Sequence, residues 1–384
     1  MSTSEQMLIT SNGMVTDINP LVSDGIRFEL IENLYPEGGS LVAEPYLVPY
    51  AEKRTPDGVV DGYVYAANPV QKKNYFLIKI DNKMYNLASA LSPEIDESTT
   101  NLTKLDEVCT LYKDTYGEYT EEEEKEPFRE LDSTSILQHG QWIWGNVNTS
   151  FFTKPGLPLH KLDEKPNEVA DTGVELVPPY RNDSGKDVYL SAKYLLVTTD
   201  RLFLANCYEG STLYPTRIHW SNINNPLEWN IESTSEADYF DLGVNALDIT
   251  GLGYSMSVIL IFTRNSIWRA DYENFDTKFR TTKFTSNTGC LYHYSVISVN
   301  EVVYFIGKDN FYAIDNLTIT PIGNDIWKWF KENANLTPED NVVAQYEAEQ
   351  NSITWLFKRK IGNGTETWGI KYNIELQAWS LRKF

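Results

Sequence analysis

Four times in this chain an apolar run meets a short polar turn and then a second run carrying aromatics. The units are FLIKI-DNK-MYNL, YLLVT-TDR-LFLAN, ILIFT-RNS-IWRAD and VYFIG-KDN-FYAID, and two weaker copies accompany them. Asp and Asn in the turns tolerate left-handed backbone and bond their own chain, so each unit reads as a β-hairpin. One hairpin cannot bury both of its faces, so a chain of hairpins must stack them. Spaced roughly 45 to 65 residues apart, the units match the period of propeller blades of about four short strands. Six such units fill the chain from about residue 58 to its end. The expected class is all-β, a β-propeller of six blades. A β-sandwich pair, a β-solenoid or a mixed fold remain as alternatives. An aromatic content of 13% agrees with strands, where rings fit the pleated surface.

Some segments fall outside the repeat. Residues 1–57 carry few apolar anchors before Ile26 and read as a tether that orders on docking, ahead of a propeller domain at 58–384. An acidic insertion at about 91–132 peaks at TEEEEKEPFRELD. It reads as a solvated loop or short helix; the functional alternative makes Glu121, Glu122, Glu123 and Glu124 an interface with a neighbouring subunit or the rim of a channel. Residues 154–190, rich in Pro, Gly and charge, read as a long connecting loop. NDIWKWFKENANL at 324–336 predicts one short helix near the C-terminal end. Asn324 or Asp325 would cap it, and Ile326, Trp329 and Phe330 would share one face.

The formal net charge over 384 residues is −21. A surface that binds nucleic acid neutralises phosphates with basic groups, so ordinary DNA or RNA binding is disfavoured. An acidic surface instead repels polyanions. No apolar run approaches the ~18 residues that span a bilayer, and the opening MSTSEQMLITSNG has no signal-peptide pattern.

A search for chemistry returns little. Cys109, Cys207 and Cys290 are far apart and odd in number, which predicts buried, reduced thiols and no zinc site. His139, His160, His219 and His293 show no metal-ligand spacing, and His219 is expected to be packed or at a rim. GLGYS at 251–255 has close glycines but leads into an apolar run, so it offers no helix N-terminus to a phosphate. DYFDLG at 238–243 lacks the oxygen ladder of a calcium loop. No catalytic residue, metal site or cofactor is assigned. A glycosidase would need two carboxylates facing one sugar, a pairing that sequence alone does not give; Asp61, Asp200, Asp248 and Asp309 sit at strand ends or turns, where turn geometry alone favours Asp. Trp142, Trp144, Trp268 and Trp355 are expected in the core.

RIHWSNINNPLEW, residues 217–229, is the most distinctive stretch. Pro226 cannot donate to a sheet ladder and so ends pairing. Asn222, Asn224 and Asn225 can bond the turn, and Trp220 and Trp229 can pack on either side of it. That makes a structural corner of Arg217, Trp220, Ser221, Pro226 and Trp229, with a ligand site as the alternative.

This corner resembles the R-x-x-W-S-x-x-x-x-P-x-x-W corner of tail hub or nozzle proteins of short-tailed bacteriophages, including the DNA-stabilisation family that closes the portal channel. ENLYPEGGSLVAEPYLVPY at 32–50 is similar to that family's opening, except at Glu44, where a basic residue is expected. ALDITGLGYSMSVILIFTRNSIWRADY and GCLYHYSVISVNEVVYFIGKDNFYAI resemble two of its later units. The resemblance spans about 215–325, is weaker over 25–50 and is absent from the acidic insertion. It implies a structural virion protein, forming a ring of about six copies beneath the portal and its adaptor. Asn33, Tyr35 and Pro36 would belong to a docking interface with the adaptor or other tail proteins. Double-stranded DNA would be retained by this plug and slide through it without specific binding. A lectin-like receptor-binding propeller and a glycan-degrading enzyme are the alternatives.

Overall fold

In the computed structural model, the polar turns sit where apolar runs must reverse. The structure describes residues 135–384 apart from 145–146, 163–173, 233, 244, 335, 338–339 and 362–363; before 135 it describes the strands within 33–110. A two-stranded ribbon comes first, β1 (Leu34–Glu37) with β2 (Ser40–Ala43). Then comes a four-stranded sheet of β3 (Val60–Asn68), β4 (Lys73–Ile80), β5 (Lys83–Asn86) and β6 (Asp106–Thr110).

Five four-stranded antiparallel blades follow in chain order. The first holds β7 (Gln138–Trp144), β8 (Val147–Lys154), β9 (Leu157–Leu162) and β10 (Val174–Leu176). After a ribbon of β11 (Tyr180–Arg181) and β12 (Asp187–Val188), the second holds β13 (Leu190–Val197), β14 (Leu202–Glu209), β15 (Thr212–Trp220) and β16 (Asp238–Asp241). The third runs through β17 (Ile249–Ser255), β18 (Val258–Thr263), β19 (Ile267–Asn274) and β20 (Lys278–Thr285). The fourth is β21 (Ile297–Val299), β22 (Val302–Ile306), β23 (Phe311–Asp315) and β24 (Thr318–Pro321). The last is β25 (Val343–Glu347), β26 (Ser352–Ile361), β27 (Gly364–Asn373) and β28 (Ala378–Lys383). Every strand in a blade pairs with its sequence neighbour, which makes the architecture all-β and of β-propeller type.

In the third and fourth blades, burial falls from the second strand outward. β18 reads VILIFT and is buried at every position, whereas β20 reads KFRTTKFT and is largely exposed or half-buried. A strand covered on both faces reads as a continuous apolar run. Tight reversals use two residues of positive φ, such as Met256–Ser257 (49° and 64°) and Asn316–Leu317 (47° and 56°), whose twist suits flanking strands. The repeated polar turn closes with one geometry. Thr198 N donates to Arg201 O, Thr263 N to Ser266 O, and Gly307 N to Asn310 O. The first of these joins strands one and two of its blade, the other two join strands two and three. The turn is thus a portable hairpin closure and does not mark a fixed place in the blade.

Two compact units divide the chain, one of 1–48, 250–272 and 280–384, the other of 49–249 and 273–279. In the first, α1 (Trp327–Asn333) inserts Phe330 among Phe311, Phe357 and Tyr292, with ring centroids 5.0, 5.3 and 6.4 Å away. Trp355 and Trp379 stack beside them. Gly251 and Gly253 of β17 lie under Val296 and Val303, where an added Cβ would come within 2.4 and 2.7 Å of a methyl. Their role is close packing. In the second unit, Trp142, Phe151, Leu159, Tyr180, Leu202 and Trp229 share one cluster.

Several expectations are corrected. Residues 154–190 hold β9 to β12 in place of a loop, and Leu157, Leu159 and Leu162 of β9 are all buried. The acidic insertion contains β6, which pairs with β5 through Met84–Cys109 and neighbouring positions. The helix is shorter than 324–336 and starts from Ile326 with no side-chain cap bond; Asn324 instead accepts from Asn310 Nδ2. Trp142 and Trp355 are buried, Trp268 is half-buried, and the Trp144 side chain lies outside the described residues.

Candidate functional site

The predicted corner closes on itself. The Trp220 and Trp229 side chains are 2% and 3% exposed. Trp220 Nε1 donates to Glu236 O at 2.8 Å, and Trp229 Nε1 to Pro226 O at 3.0 Å. Trp229 joins the cluster of Trp142 and Phe151, while Trp220 packs on Phe240 and edge-on against Phe279. The Asn222 carboxamide oxygen accepts from Ile223 N and Glu236 N, and Asn225 Oδ1 accepts from Leu227 N. Asn224, at φ 54°, donates its backbone N–H to Asp200 O in the 198–201 turn. Ser221 N donates to Leu202 O, and its hydroxyl accepts from Leu202 N. Indoles bonded and buried in this way offer no face to a sugar.

Arg217 opens the same stretch but faces a second group of residues. It stands opposite Asp241 across β15 and β16, and its guanidinium makes a bidentate pair with that carboxylate at 2.9 and 2.7 Å. Its Nη1 donates to Glu209 Oε1 at 2.6 Å. The rings of Tyr214 and Tyr239 lie 3.9 and 4.0 Å from the guanidinium carbon, which adds cation–π attraction. Glu209 Oε1 also receives His219 Nε2 at 3.1 Å. A β-bulge explains how Glu209 reaches Arg217. Asn206 of β14 adopts φ 54°, and the register jumps from Ala205–Ile218 to Cys207–Tyr214.

The electrostatics follow from burial. Burial opposes ionisation of Glu209, but hydrogen bonds from His219 and Arg217 and the charge of Arg217 overcome it and hold the carboxyl below its usual range. Burial lowers the His219 pKa, so the neutral ring donates from Nε2 to ionised Glu209. Burial also opposes the charge on Arg217, yet its bonds to Asp241 and Glu209 raise its pKa above that of a free guanidinium. The Tyr239 hydroxyl donates to Asp183 Oδ2 at 2.5 Å, and that bond together with burial pushes the phenol up to about 12. The Tyr180 ring meets His219 edge-on at 5.1 Å. Its hydroxyl is buried and, among the described residues, lacks a hydrogen-bond partner.

The other predicted residues lie apart from this group. Asn33, assigned to a docking interface, binds its own chain. At φ 56°, its N–H donates to Leu381 O, and its Oδ1 accepts from Lys383 N. Tyr35 and Pro36 lie on β1, paired with Val42 and Leu41. Glu121 to Glu124 lie outside the described residues. The DYFDLG carboxylates are occupied by cations, Asp238 by Lys278 and Asp241 by Arg217. Asp200 and Asp309 serve turns, accepting from Thr198 and Tyr312. Among the described residues, no group of His, Cys, Asp and Glu is arranged to hold a metal ion, and no helix is long and apolar enough to cross a membrane. Sequence reasoning missed Tyr180, Glu209, Tyr239 and Asp241. Arg217 and His219, and likewise Tyr239 and Asp241, are two residues apart on their strands, a period-two signal that was legible.

No protein-family model and no curated protein sequence matches the chain. Among solved structures it is similar to an exported protein of Bacteroides fragilis NCTC 9343, at 10% identity and TM-score 0.34, over 70% of this chain and 79% of that one. It is also similar to the CNH domain of AfRom2, at 9% identity and TM-score 0.34, over 95% and 97%. Neither likeness bears on function.

Proposed function

We propose that this protein is a structural component of a short-tailed bacteriophage tail. It would form a homo-oligomeric ring of about six copies below the portal and its adaptor, retain the genome, and conduct it at ejection. In this reading the β3–β6 sheet counts as the sixth blade. The observation that carries the reading is the 217–229 corner. Its resemblance to the hub family lies in residues that the fold spends on internal packing and main-chain bonds. A motif of that kind marks shared architecture, which is what a ring-building subunit needs. The net charge of −21 suits a conduit, because an acidic lining repels phosphates and lets a duplex slide.

The test is gold-labelled antibody imaging of phage particles carrying this protein, joined to negative-stain imaging of the purified chain. Label at the single tail vertex is the expected result. Label on fibres would move the assignment to receptor binding, and unlabelled particles would remove the virion reading. Sugar release from a polysaccharide panel would put the enzyme reading in its place.

A further inference from the structure

We propose that the recess between the β11–β12 hairpin and residues 230–232 is a binding site for a saccharide unit that is neutral or carries an amino group. The recess, of about 620 Å³, is open to solvent and lies wholly within the 49–249 unit.

The two walls are tied together, because Arg181 N donates to Asn230 Oδ1 at 2.8 Å. That bond fixes the plane of the Asn230 carboxamide. Asn182 is fixed likewise, its Oδ1 accepting from Ser184 N and Lys186 N at 3.0 Å each. With both oxygens pinned, both Nδ2 groups have set directions and no protein acceptor among the described residues. Acceptors line the same recess. Asp187 uses one oxygen on Arg181 Nε, Asp183 uses one on Tyr239, and Glu232 makes no side-chain bond among the described residues. Pro179 and Ile231, the latter 40% exposed, supply an apolar surface.

Sugar hydroxyls both donate and accept, and sugar C–H faces pack on apolar surface. A few placed polar groups around an apolar patch are therefore what such a ligand needs. The recess sets three carboxylates against one guanidinium, Asp183, Asp187 and Glu232 against Arg181. That balance disfavours carboxylated or phosphorylated sugars. Preformed donors also reduce the ordering cost of binding.

The full chain is tested on an array holding glucose, galactose, N-acetylglucosamine and glucosamine oligosaccharides, with sialyllactose as the acidic probe. Hits are titrated by saturation-transfer NMR. Glu232→Gln and Ile231→Asp sit on exposed positions and should keep the wild-type urea midpoint. Retention of a neutral or amino sugar is expected, with affinity falling about tenfold in Glu232→Gln, roughly the worth of one hydrogen bond to a charged group, and falling for the neutral sugars in Ile231→Asp, which loses the apolar surface. Three results would overturn the proposal: no sugar retained, tighter binding of sialyllactose, or variants that bind as the wild type does.

Discussion

Replacing Arg217 by methionine tests the charge network most directly. Methionine keeps the aliphatic stem and removes the guanidinium together with its stacking on Tyr214 and Tyr239. The Asp241 side chain is 45% exposed, so losing that half of the network costs about 0–1 kcal/mol. The Glu209 side chain is 4% exposed and would be left with His219 alone. Breaking a buried pair from one side costs about 3–5 kcal/mol, so the total should fall near 3–5 kcal/mol, a large part of the ~5–15 kcal/mol that holds a typical domain. Urea unfolding followed by tryptophan fluorescence reads it. The double variant Arg217→Met with Glu209→Gln should lose less than the sum of the singles, with coupling of at least ~1.5 kcal/mol. The pH dependence adds a second readout. The folded-state pKa of Glu209 is depressed, so its contribution is present above the unfolded pKa and is lost as pH falls through the folded value. His219, also depressed by burial, favours the folded state fully above its ordinary 6.5 and progressively less below it. Wild-type stability should therefore decline on acidification from about pH 6.5, and the Glu209 part of that decline should flatten in Arg217→Met. A loss under about 1 kcal/mol, or an unchanged acid limb, would show the network to be solvated and the reasoning wrong.

Other sites give sharper yes-or-no outcomes. Gly253→Ala places a methyl 2.7 Å from Val303 and should cost about 1–3 kcal/mol in the same unfolding assay. Trp355→Ala empties a site touching Phe311 and Trp379 and should cost about 3–5 kcal/mol. Asn33→Ala should speed amide exchange at Lys383, whose N–H it binds, with little change elsewhere. Cys290 is buried with its thiol pushed up to about 11, so it should react with a thiol reagent only after denaturation.

Much of the fold was legible because it is local. VILIFT announces a strand covered on both faces, and T-T-D-R and T-R-N-S close hairpins through bonds that span four residues. RIHWSNINNPLEW carries its own turn chemistry, with Trp229 bonded to Pro226 three residues away. What stayed hidden depended on distant pairing. The prolines and charges of 154–190 looked like loop, since no short window shows that Leu157 and Leu159 will meet a neighbouring sheet. β6 passed for part of an acidic insertion because an edge strand owes its existence to the partner it pairs with. The site shows the division most plainly. Arg217 and His219 share a face by simple alternation, a property of β15 alone. That Glu209 would arrive beside them needed a bulge at Asn206, and that Tyr239 and Asp241 would flank them needed β16 in register. Tyr180 came from a separate ribbon earlier in the chain. Sequence periodicity determines which way a side chain points; only strand register and burial decide what it meets and which protons it keeps.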